Sequence, residues 1–226
     1  MYNTILICSS SIASQELIDF WNSLLNPTIT SDWNETQEGK DKGKGKSKDK
    51  GEGEGTADDL TGTFLDLGAN VYFLGNRELG SKLYLRKCYQ ELLEDTVGTI
   101  SSGSNVVITG TPGIGKSYFL FFFMCHLRTT EPEANVILYR GSEEKWYLFL
   151  KEGVFTASKK HFDTKYMDDP NTWYLVDEAL PLQVRAKTLL VSSPYKETYK
   201  EFRKTNVRIK YMPIWSKEEI DICRRV

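Results

Sequence analysis

Histidine is nearly absent from this 226-residue chain, which has only His126 and His161, and the four cysteines (Cys8, Cys88, Cys125 and Cys223) stand far apart with no CxxC pair. That scarcity argues against a Cys/His zinc site and for reduced thiols in an intracellular setting. An excess of one charge is also missing: 29 Lys+Arg face 31 Asp+Glu, for a net charge of -2. Bulk electrostatic attraction to nucleic acid or to an anionic membrane needs a clear basic excess, so neither is a strong basis for function. Long apolar runs are lacking as well. The longest, Tyr118 to Cys125, falls far short of the roughly 18 residues that cross a bilayer. The first basic residue is Lys40 and the early apolar run spans only Ile5 to Cys8, so no secretory signal is read.

What is present suffices for one good core, with 40% hydrophobic and 12% aromatic residues. Three regions divide the chain. Residues 1–36 hold one amphipathic helix, in which Leu17, Ile18, Trp21, Leu24 and Leu25 recur at helical spacing behind Ser14, a plausible N-cap, and stop before Pro27. Such a helix cannot form a core alone, so it docks on the main body or binds a partner. Residues 37–62 contain EGKDKGKGKSKDKGEGEG, where nothing apolar offsets the entropy of ordering; a disordered linker is expected there. Its alternative use as a lysine tail for phosphate backbones is opposed by composition, since six lysines are answered by five acids.

Residues 63–226 are expected to form a globular α/β domain. A helix is predicted over 78–95, with Leu79, Leu83, Leu92 and Leu93 on one side. Strands are predicted at Asn105–Gly110, Asn135–Arg140, Thr172–Asp177, Lys187–Ser192 and Val207–Met212. Near-continuous apolar strands alternating with helices imply a mostly parallel central sheet in a three-layer fold, covered on both faces.

The strand Val106-Val107-Ile108-Thr109 runs into Gly110-Thr111-Pro112-Gly113-Ile114-Gly115-Lys116-Ser117 and then the helix-like Tyr118 to Arg128. That GxxxxGKS pattern arises by chance in roughly one chain of this length in a hundred. Gly110, Gly113 and Gly115 let the backbone turn tightly and aim its N–H groups at a polyphosphate on a helix N-terminus. Lys116 can reach the β- and γ-phosphates, and the Ser117 hydroxyl can ligate Mg²⁺. The helix that follows is apolar almost all round, as for a helix packed between layers, and His126 within it reads as a packing residue.

A phosphate loop also needs an acidic contact for the metal, and Trp173-Tyr174-Leu175-Val176-Asp177-Glu178 supplies a strand ending in two acids. Asp177 is the candidate for holding Mg²⁺ through water, and Glu178 for taking a proton from an attacking water. Asp168 and Asp169, before Pro170, read as a turn. The next strand ends in Ser192-Ser193-Pro194, where either serine could sense the γ-phosphate or simply cap a turn.

GTPGIGKS, WYLVDE, SSP, YKEFRK (Tyr199 to Lys204) and YMPIWSKEEI (Tyr211 to Ile220), in that order, resemble the P-loop ATPase module of Crinkler effectors and trypanosomal retrotransposon hot spot proteins. The resemblance covers Leu74 to Val226. It implies an additional-strand, catalytic-glutamate ATPase related to the AAA and STAND groups, regulating or powering an effector domain. On matching positions it implies that Gly110 to Ser117, with Tyr118, bind nucleotide. Asp177 would join Ser117 at the metal, and Glu178, Lys116 and Ser193 would serve catalysis. Phe73 to Arg77 is similar to the segment that often lies against the base. Two departures stand out. Leu83-Tyr84-Leu85-Arg86-Lys87 looks like the family's translocation motif but falls inside the predicted helix, a coincidence. The chain is also expected to stop short of the helical lid and its sensor arginine, and no arginine finger is identified among Arg185, Arg203 and Arg208. The resemblance implies ATP and Mg²⁺ as ligands, a homo-oligomer or an effector or host protein as partner, and secretion to a host nucleus. Set against ATP hydrolysis are a nucleotide-binding switch without turnover and, less favoured for want of lid arginines, a P-loop kinase.

Overall fold

A computed structural model describes residues 11–30, 62–157, 164–194, 199–200 and 202–224. The linker segment and Cys8 lie outside the described residues. The elements in chain order are β1 (Ser11–Ile12), α1 (Gln15–Ser23), β2 (Thr28–Thr30), β3 (Phe64–Asp66), β4 (Lys82–Tyr84), α2 (Lys87–Ser101), β5 (Asn105–Thr109) and α3 (Lys116–Thr130). There follow β6 (Val136–Arg140), β7 (Lys145–Phe149), β8 (Val154–Ala157), α4 (Thr164–Met167), β9 (Trp173–Asp177), β10 (Lys187–Ser192), β11 (Val207–Tyr211) and α5 (Lys217–Arg224).

Five strands, in the order β6-β9-β10-β5-β11, pair in parallel; the first four are largely buried on both faces, while β11, at the edge, is partly exposed. The sheet is mixed, however. β7, β8 and β1 extend it antiparallel beyond β6, making eight strands in all. Only a one-turn 3-10 helix, Gly141–Glu143, separates β6 from β7, too short for the crossover that a parallel neighbour requires. A separate three-stranded antiparallel sheet, β2-β3-β4, stands beside it.

Alternation along the strands divides the core. Val106 and Ile108 of β5 face α1, α2 and α3, together with Leu138, Leu175 and Leu189. Val107 faces the opposite layer with Ile137, Tyr174 and Leu190, where the described cover is α4 and the segment around Tyr199 and Phe202. Helices therefore cover one face substantially, while the other carries, among the described residues, only α4 and the one-turn 3-10 helix Phe202–Lys204.

Two expectations about the N-terminal half resolve differently. The Ser14 helix docks: Leu17, Phe20, Trp21 and Leu24 are buried, and Trp21 Nε1 donates to Leu150 O at 3.1 Å. The predicted helix over 78–95 is corrected. Residues 82–84 pair with β3, placing Leu83 opposite Leu65, and the helix begins only at Lys87 with Arg86 as an extended N-cap. Gly80, at φ 73°, takes the left-handed region and breaks the helical path, although the Leu79/Leu83 spacing suits a helix equally well. The Leu83 to Lys87 segment is thus a strand end leading into a cap. Leu92 and Leu93 do line the buried face of α2, with Tyr89 and Ile100.

Candidate functional site

The site forms at the carboxyl ends of the parallel strands. β5 ends at Thr109, whose carbonyl accepts from Met212 N at 2.9 Å, which ties the loop's start to the strand beside it. Gly110, Gly113 and Gly115 all have φ between 79° and 154°. Two of them also need the missing Cβ for space. A Cβ on Gly110 would lie 2.9 Å from Met212 O, and one on Gly115 would lie 2.6 Å from the Tyr89 hydroxyl. Thr111, Pro112 and Gly113 form an exposed tip, while Ile114 is buried and anchors the loop in the core.

Lys116 opens α3 with Gly115 as its left-handed cap. Its ammonium is turned back into the loop, donating to Gly110 O and Thr111 O at 2.9 Å each, with the residue only 5% exposed. Burial lowers its pKa, against the opposing pull of Glu178 and Asp177. The next residue, Ser117, donates its hydroxyl to Asp177 Oδ1 at 2.8 Å. The two side chains read from sequence as metal contacts therefore meet directly.

Asp177 is the last residue of β9, flanked by Arg140 on β6 and Val191 on β10. Its carboxyl is buried, and desolvation raises its pKa in spite of the Ser117 hydrogen bond and the Arg140 charge. Arg140 Nε lies 3.6 Å from Asp177 Oδ2 and the same guanidinium pairs with Glu143. Sequence reasoning missed Arg140. Its signal, a charge closing an otherwise apolar strand, acquires meaning only through the register that sets it across from Asp177.

Just past the strand, Glu178 takes a left-handed conformation at φ 51° and is exposed. Its N–H is held by Val191 O at 2.9 Å, and its Oε1 accepts from Ser193 Oγ at 3.2 Å. Of the two serines, Ser192 is buried in β10 and Ser193 is the one beside the acid. Tyr118 packs its ring against Phe73 and Phe121, with its hydroxyl 3.4 Å from Leu79 O. The 73–79 segment accordingly lies along the helix that the loop opens. His126 meets Phe123, and burial lowers its pKa, as suits a packing residue.

Asp168 and Asp169 fall in a turn, where Asp169 Oδ1 accepts from Asn171 N. Arg208 lines a groove between α2 and β11. Cys88, Cys125 and Cys223 are free thiols. Among the described residues no cluster of three or more His, Cys, Asp or Glu is placed to hold a metal, and no helix is long and apolar enough to cross a membrane.

No family model matches the chain. It is similar to two Crinkler effectors. Crinkler effector proteins 15 and 16 of Phytophthora infestans are each 30% identical to it over 153 residues, covering 62% of this chain. The chain spans only 24% of the length of these relatives, and the likeness falls on the family its motifs resemble. Among solved structures, the Thermotoga maritima RuvB Holliday junction branch migration motor matches 62% of this chain and 50% of its own at 13% identity, with a TM-score of 0.39, too low to bear on the fold.

Proposed function

We propose that this chain is a Mg²⁺-dependent ATP-binding module that hydrolyses ATP in the service of an effector protein. The observation that carries the reading is the meeting of Ser117 Oγ with Asp177 Oδ1 at 2.8 Å, directly after a glycine loop with no room for side chains at Gly110 and Gly115. That donor set, a hydroxyl and a carboxylate, suits a hard cation that keeps its waters and shares a substrate's phosphates. When bound, Mg²⁺ would neutralise charge developing on the phosphates.

The chain's own residues do the rest. Loop amides cradle the phosphates at the start of α3, and the Lys116 ammonium exchanges Gly110 O and Thr111 O for phosphate oxygens. Ser117 and Asp177 hold the metal's side of the site. Glu178, oriented by Ser193 and by its own tethered backbone, accepts a proton from the attacking water. With β10 lying between β5 and β9, the sheet order supports the additional-strand, catalytic-glutamate arrangement. The 30% identity to Crinkler effectors supports an effector setting.

Arg140 favours a second reading, a switch that binds nucleotide without turnover, because its charge beside Asp177 competes with a cation there. ATP binding with and without Mg²⁺, together with phosphate release, separates the two. Lys116→Ala is expected to weaken ATP binding at least about tenfold, the scale of one charge-assisted hydrogen bond. Glu178→Gln is expected to bind ATP but lose roughly 10²- to 10⁴-fold in turnover. A wild type that binds ATP without hydrolysing it establishes the switch, and one that does not bind it overturns both readings.

A further inference from the structure

Three successive carbonyls on the glycine loop are each taken by a side chain from elsewhere in the chain. Trp215 Nε1 donates to Gly113 O at 3.1 Å, Arg86 Nη1 to Ile114 O at 2.8 Å, and the Tyr89 hydroxyl to Gly115 O at 2.7 Å. Arg86 is the hub. All five of its N–H donors are spent: Nη1 also reaches Pro213 O, Nη2 reaches Ile214 O and Glu219 Oε2, and Nε reaches Glu219 Oε1. Its guanidinium lies over the Trp215 ring at 4.4 Å, and the Arg86 side chain is 1% exposed.

In a planar trans peptide the carbonyl of one residue and the N–H of the next point in opposite directions. Holding the carbonyls of Gly113, Ile114 and Gly115 on one side therefore turns the N–H groups of Ile114, Gly115 and Lys116 to the other. An unrestrained glycine-rich loop would sample flipped peptides, and that freedom would be lost on binding. Glu219 accepts from two of the five Arg86 N–H groups, and the other three go to backbone carbonyls, one of them Ile114 O on the loop.

We propose that Trp215, Arg86 and Tyr89 are positioning residues that preorganise the loop's amides for a triphosphate, and that the segment from Pro213 to Glu219 belongs to the phosphate site through Arg86. This rests on the nucleotide reading above. Each acts through a loop carbonyl, Tyr89 sharing Gly115 O with the Phe119 N–H of α3.

Tyr89→Phe removes one donor and keeps the ring, and Trp215→Phe removes the indole N–H while keeping an aromatic face under Arg86. The test titrates the 226-residue chain and both variants with ATP and with inorganic tripolyphosphate, each with Mg²⁺, and measures the melting temperature of each ligand-free protein. Each variant is expected to lose about fivefold in affinity, by the same factor for both ligands, while its melting temperature falls by only the roughly 2–4 °C that one lost hydrogen bond is worth in the free protein. An equal factor places the effect on the phosphates, which a merely structural role would not do. Wild-type affinity in both variants, or losses that differ between ATP and tripolyphosphate, overturns the proposal while leaving the nucleotide reading intact. If the wild type binds neither ligand, both fall.

Discussion

At the scale of single residues, burial sets what each polar group can do. His126 sits on α3 beside Phe123, and desolvation lowers its pKa below the ordinary 6.5. In the unfolded chain the ring takes a proton near that ordinary value, whereas the folded protein resists it. Stability from this residue is therefore complete above pH 6.5 and is lost as pH falls through the lowered folded value. Replacing it by a neutral side chain, His126→Gln, is expected to flatten the fall in stability between pH 7 and pH 5; urea melts of both proteins at the two pH values check this, and parallel slopes would contradict it. Residue identity marked Lys116, Ser117, Asp177 and Glu178 as candidates, through a glycine loop ending in Lys-Ser and an apolar strand ending in Asp-Glu, and the fold brings the four together. Arg140 and Arg86 were not legible. Each is a single charge whose partners, Asp177 in one case and Glu219 with Ile114 O in the other, lie far along the chain.

At the scale of elements, helical periodicity was reliable where one face had a core to meet and unreliable where a strand pairing competed. α1 buries Leu17, Phe20 and Trp21, and Phe20 makes edge contacts with Phe73, Phe121 and Phe149. Arg128 lies over the Trp21 ring at 4.6 Å. Trp21→Ala should accordingly cost about 3–5 kcal/mol in equilibrium unfolding, by lost transfer energy and the cavity left behind. A cost below about 1 kcal/mol would mean that α1 is not docked in solution. Leu79 and Leu83 illustrate the opposite case: their spacing fits a helix, yet Leu83 gains burial by pairing across β3 and Gly80 interrupts the turn. β7 and β8 went unread in sequence, although Trp146 to Phe149 is an apolar run, because only a one-turn 3-10 helix and no crossover helix separates them from β6.

At the scale of the whole molecule, the parallel sheet gathers residues distant in sequence at one edge. β10 inserts between β5 and β9, which brings Ser193 beside Glu178, while β6 brings Arg140 beside Asp177. A ligand held across these strand ends stabilises the fold that assembles them. Mg²⁺-ATP at a hundredfold its dissociation constant should add about 2.7 kcal/mol to stability and raise the melting temperature by roughly 5–10 °C. Differential scanning fluorimetry tests this, with Lys116→Ala expected to show a clearly smaller rise at the same ATP concentration. An equal shift in the variant would place the nucleotide elsewhere.

Sequence alone determined what depends on neighbours along the chain: the turn that three glycines allow, the lysine and serine that open α3, the apolar strands, and the acids that close β9. Tertiary structure decided what depends on register and crossing, including the antiparallel strands beyond β6, the docking of α1 and the capture of three loop carbonyls by Trp215, Arg86 and Tyr89. The physical reason is range. Backbone conformation and periodicity are short-range properties written in adjacent residues, whereas a buried charge or donor takes whichever partner the packed fold brings to it.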